Sequence, residues 1–380
     1  MKILKLIILL LGALPLVSII GPQQAFAQSE QDAGPTDEIV VFGAREGPRF
    51  WRVKSGDGEA FVLPTTRFTP EDFEWSDRQL KFLLEETTLL IAPTQAEASA
   101  GARARMVGAA LRTITINRGR LFMPKGVTLA DRVGADLAGA FALSSARVEA
   151  RARAKRAARR DKSSAEGNEV DRQETPEPAE DAIAKAIENA DPSRFHPIFQ
   201  SGGLIGDAVD AAGLESFEDS AEKHIRKLAR KAKVETKPVA AFQLAFADMR
   251  SFLQSAQDFS EDTNRACIQA SIDFAEDGIV EAATRARDWA RGNVESLIAS
   301  ADETTFDGCA LAISNELGGL QTLGGANLAA VDLVSPWMVA IEDALDGGGV
   351  TLALVPFEVF LKTGGVRERL IARGSEVIDP

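Results

Sequence analysis

The sequence predicts an α/β protein. A central mixed β-sheet is built from N- and C-terminal α/β units, with a helical middle region and a disordered charged insertion. Three observations carry this. Apolar strand-like runs lie near both ends of the chain, at Phe50–Val53, Ala60–Leu63 and Thr87–Ile91, and again at Val350–Val355. Helix-period segments separate or follow them, and the order strand, helix, strand points to parallel pairing. Between the two ends, apolar residues recur every three or four positions, interrupted by one polar, Pro-containing stretch.

The first 27 residues read as a signal peptide. Lys2 and Lys5 form a basic start, Ile3 to Ile20 is almost wholly apolar, and Ala25-Phe26-Ala27 is a small-x-small cleavage site. A membrane anchor is the alternative; Gly12 and Pro15 interrupt the run and favour cleavage. The mature chain is then expected to begin at Gln28 and to be exported to the periplasm. No later stretch is apolar enough to span a bilayer. Residues 28 to 47 read as a flexible leader, and residues 48 to 380 as one α/β domain with a charged insertion at about 150 to 190.

The composition is 45% hydrophobic and 26% charged, that of a globular protein. A formal net charge of −13 argues against nucleic acid as a partner. There are two histidines and two cysteines, and no tyrosine. In an exported chain Cys267 and Cys309 read as a disulfide, with two buried thiols as the alternative. Closing that loop stabilises the fold by about 4 kcal/mol in the chain-entropy model.

Phe50 to Val53 and Ala60 to Leu63 flank Ser55-Gly56-Asp57-Gly58, a hairpin signal. Ser76-Asp77-Arg78-Gln79 is a capping box, with Leu80, Leu83 and Leu84 at helical spacing behind it. Thr87 to Ile91 follows as a buried strand. Ala102 to Thr115 reads as a helix, and Arg120 to Met123 as a short strand. Thr128-Leu129-Ala130-Asp131 is a second capping signal, opening an Ala-rich helix to about Lys162. Its basic end (Arg151, Arg153, Lys155, Arg156, Arg159, Arg160, Lys162) reads as a solvated helix face. The rival reading is a nucleic-acid or anionic-membrane patch. Residues 163 to 178 are acidic and polar, with Pro176 and Pro178, and read as disordered.

In the second half, Phe242, Phe246, Met249 and Leu253, then Cys267, Ile272, Phe274, Ile279, Ala283 and Trp289, mark helices whose stripes read as core. Ser335-Pro336 reads as a helix start, with Trp337, Ile341 and Leu345 on one face and Gly347-Gly348-Gly349 as the stop. Val350 to Val355 is a strand, Val366 to Arg373 a helix, and Glu376 to Ile378 a last strand.

The usual catalytic signatures are missing: no P-loop, no paired Cys-x-x-Cys, no Gly-x-Ser-x-Gly. His196 beside Pro197 and His224 in a basic helix are each isolated, and read as structural or solvated.

Several of these runs together resemble the TraB/GumN family, with its Tiki-like relatives. Trp51-Arg52-Val53 matches the first strand. Pro64-Thr65-Thr66-Arg67 falls on Gly-Thr-x-His, and Leu89-Leu90-Ile91-Ala92 on a strand that ends in glutamate. Trp289-Ala290-Arg291-Gly292-Asn293 is similar to a mid-chain Trp-x-x-Gly-Asp motif. Val355-Pro356-Phe357-Glu358-Val359 falls on Val-Gly-x-x-His, with Gly365-Val366 as the helix start beyond. The resemblance implies a metal-dependent hydrolase ancestor with two histidines and a carboxylate as ligands. This chain has Arg67, Ala92 and Val359 at those positions. Arginine stays protonated, and the other two have no ligand atom. The expectation is therefore a divergent member with no family-type metal or cofactor, a non-catalytic binding or scaffold module. A hydrolase, metal-dependent and peptidase-like, with a rebuilt site is the alternative. Thr65, Thr66, Arg67 and Glu358 form the candidate cleft, since ligands of open α/β sheets bind at the carboxyl ends of strands. Arg67 there either pairs with Glu358 as a structural tie or binds a small anionic ligand. An envelope protein is the other expected class of partner.

Overall fold

The computed structural model describes residues 47–74, 77–93, 122–166, 192–239, 258–302, 308–309, 312–313, 316 and 334–380. The signal segment, the leader before residue 47, the 102–115 helix, the 242–253 stripe and the insertion from 167 to 191 lie outside the described residues, as does the Ser76 cap.

Eight strands are described: β1 Trp51–Ser55, β2 Gly58–Thr65, β3 Phe68–Pro70, β4 Thr87–Ala92, β5 Leu214–Ser216, β6 Glu235–Pro238, β7 Gly349–Pro356 and β8 Glu376–Ile378. The described α-helices are α1 Asp77–Glu86, α2 Leu129–Val133, α3 Ala135–Glu166, α4 Pro197–Ala211, α5 Lys223–Lys231 and α6 Glu261–Asp273. They continue with α7 Ile279–Arg291, α8 Val294–Ala299, α9 Val334–Asp346, α10 Phe357–Leu361 and α11 Val366–Ala372.

Six strands form the central sheet, in the order β6-β4-β7-β2-β1-β8. The expected hairpin is β1–β2, antiparallel, with Gly56 at φ 56° in its turn. The sheet is mixed, because β7 pairs in parallel with both β2 and β4, while β1 and β8 run antiparallel at one side. Thus β2 and β4 are parallel but do not touch. The strand between them arrives from the far end of the chain.

Alternation along the central strands fills two cores. On one face Val62, Ala353 and Val355 meet Trp337, Ile341 and Leu345 of α9, Phe360 of α10 and Leu370 of α11. On the other, Leu63, Leu352 and Leu354 meet Leu80, Leu83 and Leu84 of α1, Leu228 of α5 and Trp289 of α7. The period-2 pattern with apolar residues on both faces is what a strand buried on two sides requires. The sheet edges are guarded. β6 carries Glu235, Lys237 and Pro238, and Pro cannot donate to a ladder. Next to β8, Asp379 accepts from Trp51 Nε1 at 2.9 Å and Arg367 Nη2 at 2.9 Å, pinning the C-terminus.

The backbone of Leu345 in α9 packs directly on Gly58 of β2. A Cβ there would lie 2.7 Å from the Leu345 carbonyl carbon, a backbone atom that cannot swing aside. Gly58→Ala is expected to destabilise the protein by about 3 kcal/mol, the upper range for overpacking. A urea midpoint unchanged from wild type would contradict that contact.

A helical lobe joins the sheet at the carboxyl end of β2. There β3 pairs antiparallel with β5. Phe68 of β3 enters a core with Val148 of α3 and with Leu204, Ile205, Ala208 and Val209 of α4. Phe274, with Ile279, Ala283 and Ala286 of α7, closes it from the other side.

The predicted Ala-rich helix is two helices. Its capping box forms as expected, with the Thr128 side chain accepting from Asp131 N and the Asp131 side chain from Thr128 N. Then α2 stops at Gly134, whose φ of 88° is not helical, and α3 begins. The helix continues to Glu166. The expected helix to about Lys162 is present, and residues 163 to 166, expected to be disordered, continue it.

The basic end of α3 is not simply solvated. Lys155 Nζ and Arg159 Nη2 each reach Glu71 Oε2 at 2.6 Å, and Arg151 donates to Ala275 O at 3.0 Å. The helix is thus tied to the sheet exit and to the core beside it. Cys267 of α6 and Cys309 form a disulfide, in a cluster with Ile198, Phe259 and Ile313. The helix expected to start at Ser335-Pro336 already includes Val334. The expected strand at Arg120 to Met123 contributes an isolated bridge, Phe122 to Phe195, with the rings stacked at 4.7 Å.

Candidate functional site

The site is built by one register. β2 and β7 pair in parallel to their last residues, and Thr65 lies opposite Pro356. Arg67 and Glu358 each stand two residues beyond that pair, so the candidate residues leave the sheet from neighbouring strand ends. Thr65 and Thr66 are buried, and Arg67 and Glu358 are half-buried. The Thr66 hydroxyl donates to Phe68 O at 2.7 Å, and Arg67 O accepts from Phe217 N at 3.1 Å. These bonds turn the chain sharply from β2 into β3. The Arg67 guanidinium carbon lies 5.5 Å from the Phe68 ring centroid.

The other two positions that the resemblance singles out are core. Ala92 is fully buried in the cluster of Leu90 and Leu354, and Val359 is buried in that of Phe360 and Val355. Among the described residues, no group of three or more His, Cys, Asp or Glu side chains is gathered as metal ligands would be.

The Trp289 motif is a corner. Trp289 Nε1 donates to Pro64 O at 2.7 Å, locking α7 to the end of β2. Gly292 ends α7 at φ 72°, and Asn293 caps α8 by accepting from Ser296 N. Four residues before Trp289, Arg285 lays its guanidinium carbon 5.0 Å from the Phe357 ring centroid. Its Nε donates to Ser300 Oγ at 3.4 Å. Asp302 accepts from Thr363 N at 3.0 Å and Thr363 Oγ1 at 2.8 Å, bridging the segments that follow α8 and α10. Sequence reasoning missed Arg285; its spacing from Trp289 was the available signal.

Two buried titratable groups lie elsewhere. His196 is the N-cap residue of α4 and is 2% exposed, and neither ring nitrogen has a hydrogen-bond partner among the described residues. Burial, with Arg132 nearby, drives its pKa down to about 4. Glu222 ends a π-helical turn before α5 and is 3% exposed. Burial pushes its carboxyl up to about 7, against the pull of Arg226, whose Nε donates to it at 2.7 Å. His224 is half-buried in α5, two positions beyond Glu222.

These two groups give opposite pH dependences. As pH falls from 6.5 to about 4, the unfolded chain protonates His196 before the folded one does, so stability is lost. As pH rises from 4.5 to about 7, the unfolded chain releases the Glu222 proton first, so stability is again lost. Each slope is about 1.4 kcal/mol per pH unit, and they cancel between pH 4.5 and 6.5. Relative to wild type, Glu222→Gln is expected to make stability rise with pH across that window. His196→Phe is expected to make it fall. Urea melts at three pH values check this, and parallel wild-type and variant curves would refute it.

No helix among the described residues is long and apolar enough to cross a membrane. Comparison of the chain with family models, with curated proteins and with solved structures finds no match.

Proposed function

We propose that this is an exported, TraB/GumN-like protein of the periplasm that binds a small anionic ligand at the carboxyl ends of β2 and β7 and does not catalyse a reaction there. The observation that carries the reading is the register of Thr65 on Pro356, which sets Arg67 beside the exit of β7. A guanidinium at that crevice suits carboxylate or phosphate oxygens and repels a metal cation. The burial of Ala92 and Val359 in apolar surroundings supports the same reading, because neither position offers the crevice a ligand atom.

Arg67→Ala tests it. Anion binding is expected to be lost, while stability falls by about 1 kcal/mol or less, as for a partly exposed charge. A double-mutant cycle of Arg67→Ala with Glu358→Ala measures any coupling between the two, beyond the roughly 0.5 kcal/mol within which independent sites add. Strong coupling would make the two a structural tie instead. Stoichiometric zinc in the purified wild type would favour the hydrolase alternative.

A further inference from the structure

We infer that the outer surface of α1 and α5 docks on an anionic lipid bilayer, with Lys223, Lys227 and Lys231 at the headgroups and Phe82 inserted beside them. This surface is separate from the strand-end crevice and does not depend on the anion reading above.

α1 and α5 form one layer. Leu80, Leu83 and Leu84 of α1 enter the same core as Ile225, Leu228 and Ala229 of α5. α1 leads into β4 and α5 into β6, and those two strands pair in parallel. Their register opens with Leu89 opposite Glu235. Phe82 lies seven residues before Leu89, and Lys227 eight before Glu235, so the two stand at the same height on neighbouring helices.

Helix geometry fixes where they point. With Ile225, Leu228 and Ala229 buried, Lys223, Lys227 and Lys231, each four residues from the next, run along the opposite side of α5. In α1 the buried leucines likewise leave Phe82 on the side away from the sheet. The three lysines are exposed. Phe82 is 65% exposed, more than any other large apolar side chain among the described residues.

This stripe weakens its own helix. Like charges four apart repel, and α5 holds two such pairs in succession, Lys223 with Lys227 and Lys227 with Lys231. Among the described residues none of the three is in an ion pair. The pair in α5 is Arg226 with Glu222, on the buried side. The basic end of α3 differs, because Lys155 and Arg159 are tied to Glu71. Carboxylates border the stripe, with Glu85 and Glu86 closing α1 and Glu218 and Asp219 preceding α5, but α5 itself has none. A positive band in a chain of net charge −13 turns that band toward an anionic surface and the rest of the molecule away from it.

The residue types select lipid. Lysine is a mobile point charge without the fork of arginine, suited to a diffuse array of headgroups and not to one fixed carboxylate. A phenylalanine projecting at the level of the lysines matches an interfacial face, with cations at the headgroups and the ring at the acyl boundary.

The test is cosedimentation of the full chain with vesicles of phosphatidylcholine and phosphatidylglycerol, against vesicles of phosphatidylcholine alone. Wild type and variants share residues 1–27, so differences between them report on this surface. Binding to the anionic vesicles is expected to exceed that to the neutral ones and to fall with added salt. Replacing Lys223, Lys227 and Lys231 together by Gln is expected to weaken it roughly a hundredfold, about fivefold for each charge. Lys→Arg at the same three positions is expected to retain it. Phe82→Ala is expected to weaken it roughly tenfold. In Phe82→Trp, quenching of the new indole by lipid brominated on its acyl chains reports insertion. Urea melts establish that each variant is folded. Equal sedimentation with anionic and neutral vesicles, or wild-type binding by the triple Gln variant, overturns the inference. If a DNA duplex or polyglutamate binds more tightly than the vesicles and Phe82→Trp is not quenched, the partner is a macromolecular polyanion and the lipid assignment fails.

Discussion

Trp289→Ala is expected to lower the unfolding free energy by about 5 kcal/mol, the top of the range for removing a buried aromatic. Trp289 is 1% exposed. Its ring lies 5.3 Å from Phe73 and 5.5 Å, edge-on, from Phe217. Truncation opens a cavity between α7 and the sheet, removes both ring contacts and leaves Pro64 O without its buried donor. It also frees the helix that carries Arg285. Trp289→Phe separates these effects. It keeps much of the volume and loses the hydrogen bond, so it is expected to cost about 2 kcal/mol. Urea denaturation measures both, and a loss below about 2 kcal/mol for the alanine variant would contradict the role of Trp289 in locking α7 to β2.

Breaking the Cys267–Cys309 disulfide is expected to destabilise the protein by about 4 kcal/mol. The bond closes a sequence separation of 42 residues. The unfolded chain gains the freedom of that loop when it opens. Both cysteines lie in the small apolar cluster with Ile198 and Ile313, so the reduced form also retains two thiols in a core shaped for a crosslink. Denaturation with and without reductant checks the size. Intact mass checks the bond itself, through the two hydrogens gained on reduction. Cys267→Ala with Cys309→Ala should match the reduced protein to within the cavity contribution. Equal stability of oxidised and reduced protein would show that the crosslink constrains nothing.

The elements were legible where the cause is local. The β1–β2 hairpin follows from Gly56 and Gly58 between apolar runs, and the α2 start from Thr128 and Asp131 three residues apart. The stop after α2 was also written locally, in Gly134, but helix periodicity on both sides concealed it. The basic run on α3 is exposed at Arg151, Arg153, Arg156, Arg159 and Arg160, as a solvated face requires, but its partners were not legible. Lys155 and Arg159 are paired with Glu71, and Arg151 and Lys155 donate to the backbone carbonyls of Ala275 and Asp210. Spacing along one helix carries no information about partners so far away in sequence.

The candidate site divides in the same way. Residue chemistry alone shows that Arg67, Ala92 and Val359 are not metal ligands. Residue chemistry does not show that Arg285 lies over Phe357 beyond the end of β7, because that depends on contacts such as Trp289 to Pro64, across 225 positions. Nor does it identify His196 as an imidazole lowered by burial, or Glu222 as a carboxyl raised by it, since a pKa depends on what surrounds the group.

Local patterns in the chain specify which segments are helix and strand over most of the described residues, the α/β class, and the cysteine pair. Those follow from periodicity, turn chemistry and composition, which act over a few residues. Long-range pairing alone puts β7 between β2 and β4, and sets Arg67 and Glu358 at one end of the sheet. Strand order is set by pairing between segments at opposite ends of the chain, and such pairing is selected by the whole buried surface and not by any local pattern.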